Sequence, residues 1–291
     1  MIKGSIVALV TPFTESLHVN FKKLEELVEI QYIGKTDCLL LLGSTSESST
    51  LNEYEKDSII ECVVKKNNKR MKIIVAVITN NLVDAIKKGK KYEELGADCL
   101  LIIPPYYVKS NENGIIEYFK EISNKINIPI IIYNIPTRVG FNLDYKTIQK
   151  LKKFKNIIGI KESNKDINHI IKISTLCDEK FHLYCGNDDL IYIFLSLGAK
   201  GLINVYGNLE PKVIKNLINL YEENPFLCKR YFLNYYNILD NLNIDVNPIP
   251  IKFMMNYRGL KVGNHRLPLS KLSEDKEKVI IKQLFWQKIT F

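Results

Sequence analysis

Short apolar runs alternate with amphipathic segments along most of the chain. Eight of these runs have the length and composition of buried parallel strands, and helical patterns separate them. The predicted strands are Ser5–Val10, Cys38–Leu42, Ile73–Ile78, Cys99–Ile103, Pro129–Tyr133, Ile157–Ile160, His182–Cys185 and Gly201–Val205. The predicted helices between them are Phe21–Ile33, Glu53–Lys66, Leu82–Leu95, Ile115–Ile126, Tyr145–Leu151, Ile167–Leu176 and Asp189–Leu197.

This alternation predicts an α/β fold, a TIM (β/α)8 barrel with a C-terminal helical appendage. A doubly wound open sheet is the alternative, which the lack of a GxGxxG or P-loop motif after any strand weakens. The pattern of Pro211–Glu222 predicts the last barrel helix, and three further helices are predicted at Cys228–Leu242, Ile249–Tyr257 and Ser273–Gln287. We therefore expect a barrel over residues 1–224 that carries the active site and a helical extension over residues 225–291.

Composition narrows the functional class. Of the 291 residues 46% are hydrophobic, no apolar run approaches the roughly 20 residues of a membrane span, and the N-terminus has no signal-peptide pattern. The formal charge of +9 comes from scattered lysines rather than a basic stripe, so we expect no nucleic-acid partner. The six cysteines form no CxxC pair and the four histidines have no ligand spacing. These features predict a cytoplasmic enzyme without a metal site or disulfide framework.

The residues that follow the predicted strands are the candidates for chemistry, because TIM barrels place their active sites at the C-terminal ends of the strands. Lys161 closes the sixth apolar run. Burial disfavours the charged form of an amine, and a neutral lysine can form a Schiff base with a carbonyl substrate. On the local sequence alone, a lysine that reaches back to solvent is the more common outcome. The hydroxyls and the arginine expected at the same rim favour the catalytic interpretation.

Each of these neighbours has a functional and a structural interpretation. Gly43-Ser44-Thr45 could receive a carboxylate, or Thr45, Ser46 or a later serine could cap the helix predicted from Glu53. Tyr133 could act as a general acid and base, or be a core tyrosine bonded to a carbonyl. Arg138 could bind a substrate carboxylate or be an ordinary surface residue.

The longer motifs carry a resemblance to a known family. They are GSTSESSTL from Gly43, PPYY at Pro104–Tyr107, YNIPTRVG at Tyr133–Gly140 and IGIKES at Ile158–Ser163. Together they resemble the dihydrodipicolinate synthases, within the pyruvate-dependent Schiff-base aldolases that include N-acetylneuraminate lyase. The resemblance runs from Gly4 to Lys252.

The resemblance implies a lyase of lysine and diaminopimelate biosynthesis that condenses pyruvate with L-aspartate semialdehyde and uses no cofactor. It implies that Lys161 forms the Schiff base and that Tyr133, Ser44 and Tyr107 relay protons, with Tyr107 supplied by a neighbouring subunit. The residues implied to bind substrate are Thr45, Ile203, Arg138 and Gly186. A homotetramer is the implied assembly. The alternatives are an aldolase for a sialic or keto-deoxy sugar acid and a catalytically silent barrel.

The sequence departs from the family pattern at several positions. Ser44 stands where threonine is common and Asn187 where aspartate is usual; Val139 and Ala76-Val77-Ile78 also differ. Ser46 replaces a glycine, which would add strain if the position requires positive φ. Many members of the family are inhibited by free lysine, which binds at a dimer interface. The resemblance implies that such an effector site would use Ser49, Asn80, Asp84 and Tyr106. Because a cation at Lys56 would repel lysine, we expect weak or absent feedback inhibition.

Overall fold

Eight parallel strands form a closed barrel in the computed structural model, which describes residues 2–108 and 110–289. The strands are β1 Gly4–Ala8, β2 Cys38–Leu41, β3 Lys72–Val77, β4 Cys99–Ile102, β5 Ile130–Asn134, β6 Ile157–Glu162, β7 His182–Cys185 and β8 Gly201–Asn204. They pair in chain order, and β8 closes the barrel against β1 with Ile6 opposite Ile203. The predicted TIM barrel is confirmed, and the open-sheet alternative is wrong.

Helices connect the strands and continue beyond the barrel. Those of the barrel are α1 Phe21–Ile33, α2 Glu53–Asn67, α3 Leu82–Glu94, α4 Glu112–Lys125, α5 Pro136–Val139, α6 Tyr145–Leu151, α7 Ile167–Ser174, α8 Ile191–Ser196 and α9 Pro211–Glu223. The appendage contains α10 Pro225–Asp240, α11 Ile249–Tyr257 and α12 Glu274–Ile289. In the appendage α10 packs against α9, and α12 contacts both α10 and α11. None of the helices in residues 2–108 and 110–289 has the length and apolar content needed to cross a bilayer.

Asparagine and aspartate side chains begin many of these helices. At the start of α2, Asn52 accepts a hydrogen bond from the backbone N–H of Glu55, and the Glu55 side chain accepts from that of Asn52. This reciprocal pair satisfies two N–H groups that the first helical turn leaves free. The expectation that Thr45, Ser46 or a later serine might cap this helix is therefore wrong. The segment from Ser44 to Thr50 is a separate structure between β2 and α2.

Alternate residues along each strand pack in two different cores, as the period of a strand requires. Ile131, Tyr133, Tyr184 and Ile203 belong to the cluster inside the barrel. Residues such as Ile132 belong to the larger cluster between the strands and the helices. Both faces of the strands are buried, which explains why the strands are recognisable as continuous apolar runs.

Candidate active site

Lys161 and Tyr133 lie side by side at the C-terminal ends of β6 and β5. They are Cα partners in the parallel ladder, and the Lys161 Nζ is 4.0 Å from the centroid of the Tyr133 ring. Lys161 is only 6% exposed. The lysine therefore does not reach back to solvent, and the expectation of a solvent-exposed lysine at this strand end is wrong. The strand itself continues one residue beyond Lys161, to Glu162.

A cleft with two lobes lies beside this pair, and Tyr133 lines both lobes. The lobes have volumes of about 310 and 750 Å³. The residues on the walls of both lobes are Ser44, Tyr133, Ile135, Arg138 and Asn247. Because the lobes share these walls, they lie next to each other. A small keto acid and a second small substrate can lie together in a cleft of this size.

The loop after β2 brings Ser44 to the cleft, whereas the neighbouring Thr45 lines neither lobe. Thr45 is buried, and its Oγ1 accepts a hydrogen bond of 2.9 Å from the Asn247 Nδ2. Ser46 turns away from the cleft and donates from Oγ to the carbonyl of Leu9 at 2.6 Å. Ser46 does not have a positive φ; the following residue, Glu47, does, at 55°. The strain that the sequence suggested for Ser46 is absent.

An entirely buried ion pair holds this loop against the appendage. Glu47 and Lys252 have side-chain exposures of 0%, and Lys252 Nζ lies 2.8 Å from Glu47 Oε1. The same ammonium donates to the carbonyls of Thr11 and Asn264 at 3.1 and 2.9 Å. The second oxygen of Glu47 accepts from the backbone N–H of Arg266 at 3.1 Å. The loop that carries Ser44 is thus fixed by residues more than 200 positions later in the chain.

Arg138 belongs to the short helix α5, which directly follows β5. Pro136 occupies the first turn of α5, where its missing N–H removes no helical hydrogen bond. The guanidinium of Arg138 is exposed to the cleft and donates to the carbonyl of Asn247 at 3.2 Å. Val139 is buried beside it. The arginine therefore has free donors that could form a bidentate pair with a carboxylate.

The opposite wall of the cleft is formed by the ends of β7 and β8. A Cβ on Gly186 would lie 2.1 Å from the Oγ of Ser163, so only glycine fits there. Ile203 is buried inside the barrel, in β8. The Asp188 carboxylate accepts from the N–H groups of Val205 at 2.9 and 3.0 Å and of Tyr206 at 2.9 Å. Burial nevertheless raises the pKa of Asp188 to about 6.

Tyr107 is not brought to the cleft of its own chain. Its side chain is 92% exposed, and its backbone has a φ of 66°. A non-glycine residue with this φ is uncommon and projects the side chain away from the regular path of the loop. Among the residues that the structure describes, Tyr107 contributes to neither lobe of the cleft.

The four residues predicted for an effector site divide into two groups. Ser49 and Tyr106 line the smaller lobe, and Asn80 Nδ2 donates to the carbonyl of Tyr106 at 3.3 Å. The carboxylate of Asp84 instead forms an ion pair of 2.8 Å with Lys88. The predicted site is thus partly occupied by a cation of the protein itself.

Lys56 lies near Asp84 and is itself paired with a carboxylate. Its Nζ is 2.8 Å from Glu53 Oε1, to which Lys88 approaches within 3.4 Å. Two ammonium groups therefore share one carboxylate close to Asp84.

Comparison with known proteins agrees with the fold. Residues 1–285 match the model of the dihydrodipicolinate synthetase family. A 4-hydroxy-tetrahydrodipicolinate synthase of Clostridium novyi is 41% identical over 281 residues, which cover 96% of this chain and 95% of the relative. The chain belongs to the dihydrodipicolinate synthetase family. Its family resemblance in sequence is therefore confirmed.

Solved structures of the family superimpose closely on the chain. The dihydrodipicolinate synthase of Aquifex aeolicus is 35% identical with a TM-score of 0.94, covering 99% of this chain and 98% of that one. A chloride-inhibited synthase of Acinetobacter baumannii, solved in complex with pyruvate, is 32% identical with a TM-score of 0.96, covering 99% of this chain and 100% of that one.

Asn247 is one of the cleft residues that sequence reasoning missed. It lines both lobes and contacts Thr45 through its side chain and Arg138 through its carbonyl. It lies between the 3₁₀ turn at Asn241–Asn243 and α11, and in the sequence it is far from the end of every strand. The family resemblance extends through this segment, which was the available signal. No strand rule could have placed it in a barrel active site.

Proposed function

We propose that the chain is a 4-hydroxy-tetrahydrodipicolinate synthase that condenses pyruvate with L-aspartate semialdehyde. The observation that carries this proposal is the buried amine of Lys161, which lies 4.0 Å from the ring centroid of Tyr133, a residue that lines both lobes of the cleft. Family membership supports the same activity over a sugar-acid aldolase or a silent barrel. The reaction needs no cofactor, because the lysine itself activates the keto acid.

The proposed sequence begins with attack of the Lys161 amine on C2 of pyruvate. The carbinolamine loses water to form an iminium ion, and loss of a proton from C3 then forms the enamine. The Tyr133 hydroxyl is suited to move these protons, because Tyr133 and Lys161 are register partners. The enamine C3 attacks the aldehyde carbon of the second substrate, and the resulting alkoxide takes a proton. Finally the amino group of that substrate attacks C2, closes the ring and releases the lysine.

The remaining proposed roles are those that the family resemblance implies. Ser44 would pass protons from Tyr133, while Thr45, Ile203 and Gly186 would hold pyruvate in the base of the cleft. Arg138 would bind the carboxylate of the aldehyde, since its guanidinium lines both lobes. Ser49, Asn80, Asp84 and Tyr106 remain a proposed effector site.

We further propose a cytoplasmic homotetramer in which Tyr107 completes the relay of a neighbouring subunit. The exposed ring and left-handed backbone of Tyr107 support this role, because a large aromatic at the surface is suited to bury itself against a partner. One related synthase variant is described as monomeric, so assembly differs among relatives.

Trapping with borohydride tests the central step. Incubation with pyruvate and borohydride should leave one reduced pyruvate adduct on Lys161, located by peptide mass spectrometry. Lys161→Ala should lose the adduct and turnover with aspartate semialdehyde, whereas Lys172→Arg, on the exposed face of α7, should retain both. A wild-type protein that traps no pyruvate, or that turns over a sugar aldehyde but not aspartate semialdehyde, would refute the proposal.

A further inference from the structure

Glu162 is a buried carboxylate next to Lys161 that the proposed mechanism does not use. Strand geometry places these neighbours on opposite faces of β6, so Glu162 points toward the helices while Lys161 points into the barrel. The Glu162 side chain is 0% exposed. Its partner in the ladder is Asn134, which directly follows Tyr133 in β5. The catalytic pair inside the barrel is thus backed by a second pair outside it.

The Glu162 carboxylate accepts hydrogen bonds from three residues. Asn134 Nδ2 lies 3.0 and 2.9 Å from its two oxygens, and the backbone N–H of Asn164 donates at 2.6 Å. His169 Nε2, from α7, is 3.1 Å away. Every neighbour that bonds to the carboxylate is a donor, which suits a group that accepts through both oxygens and not its amide analogue.

Asn142 fixes the orientation of these donors. Its Oδ1 accepts from Asn134 Nδ2 at 2.7 Å and from Asn164 Nδ2 at 3.1 Å. Its own Nδ2 then faces His169 Nδ1 at 3.3 Å. Since Nδ1 is the acceptor, the proton of a neutral His169 lies on Nε2 and points at Glu162. Donors face acceptors at every contact of this network. Turning one of its side-chain amides or the imidazole around would therefore break several of these hydrogen bonds.

We propose that Glu162 is a positioning residue, whose carboxylate clamps Asn134 and α7 and so holds Tyr133 and Lys161 at the separation that proton transfer requires. This inference rests on the proposed function. Glu162 does not contact substrate, because it lies on the outer face of the strand. The carboxylate can affect the catalytic pair because Glu162 directly follows Lys161 in β6 and Asn134 directly follows Tyr133 in β5. Small displacements of reacting groups can slow an enzyme by about 100-fold.

The test is the rate of pyruvate trapping at Lys161 together with the steady-state constants. In Glu162→Gln an amide N–H₂ would face the donors of this network. We expect trapping and kcat to fall about 10- to 100-fold, while the KM for pyruvate changes less than about 3-fold. Glu162→Asp keeps an acceptor-only group and should recover part of the rate although it is shorter. Ile173→Ala, in the buried face of the same α7, should lower Tm without slowing trapping.

Trapping at the wild-type rate in folded Glu162→Gln would overturn the role of Glu162. Equal slowing by Ile173→Ala at a matched loss of Tm would also overturn it, because the effect would then be one of general stability. If Glu162→Gln does not fold, His169→Leu removes the contacts of the imidazole with Glu162 and Asn142 and should slow trapping about 3-fold, and an unchanged rate there overturns the proposal. Absence of trapping in the wild-type protein would instead refute the proposed function itself.

Discussion

The buried ion pair between Glu47 and Lys252 makes a strong prediction about stability. Substitution Lys252→Met keeps an unbranched side chain of similar length in a site with 0% exposure. It removes the charge and three hydrogen bonds of 2.8–3.1 Å, to Glu47, Thr11 and Asn264. Glu47 would then be a buried carboxylate without its counter-charge. Breaking a buried pair in this way is expected to reduce the free energy of unfolding by about 3–5 kcal/mol.

Thermal unfolding is a suitable assay, at one fixed protein concentration because oligomerisation makes Tm concentration-dependent. For a chain of this length each kcal/mol corresponds to roughly 2 °C, so Lys252→Met should lower Tm by about 6–10 °C. The matched control is Lys120→Met, which breaks an exposed pair of 3.1 Å with Glu117 within α4 and should change Tm by about 1 °C or less.

A double variant separates the orphaned charge from the lost contacts. Glu47→Gln combined with Lys252→Met leaves no unpaired charge and should be more stable than Lys252→Met alone. A Tm for Lys252→Met within about 2 °C of wild type would refute the reasoning. It would mean that water or a rearranged Arg266 compensates the carboxylate.

Three further predictions concern single positions. Ser46→Gly should reduce stability by about 1 kcal/mol rather than relieve strain, because Ser46 has no positive φ and its Oγ bonds to Leu9; a raised Tm would contradict this. Burial raises the pKa of Asp188 from 3.8 to about 6. Its protonation therefore stabilises the folded state by about 3 kcal/mol below about pH 3.8. This contribution is lost as the pH rises through 6. Urea unfolding of Asp188→Asn across this range should lack the loss seen in wild type, and parallel pH profiles would contradict the assignment. Millimolar L-lysine should leave turnover unchanged in a coupled assay, because the ammonium of Lys56 repels a cationic effector; strong inhibition would show that its pairing with Glu53 neutralises it.

Much of the barrel could be predicted from the sequence because both faces of its strands are buried. An unbroken run such as Cys38–Leu41 is distinctive in a chain whose helices are amphipathic. Apolar runs do not, however, show where a strand ends. Glu162 lies beyond the apolar run in the sequence, yet it remains in β6 because Asn134 and His169 satisfy its carboxylate. Helix α5 was missed because four residues are too few to show a helical period.

The candidate site was predictable to the extent that it lies at strand ends. Lys161 and Tyr133 follow from that rule together with the family motifs. Asn247 and Lys252 do not, because each acts on the β2 loop across more than 200 residues of chain. Such contacts depend on how the appendage packs, and hydrophobic periodicity contains no information about that. The orientation of Ser46 likewise depends on the tertiary contact with Leu9.

The hydrogen bond between Asn247 and Thr45 has a consequence for the order of events during synthesis. The two residues are 202 positions apart, so at about 5–20 residues per second Thr45 is made roughly 10–40 s before its partner. Glu47 is likewise made 205 residues before Lys252, its ion-pair partner. A ribosome-bound chain that ends after β8 possesses all eight strands but a loop with an unpaired buried carboxylate. The loop that carries Ser44 therefore acquires its native contacts only after the appendage has been made and has docked.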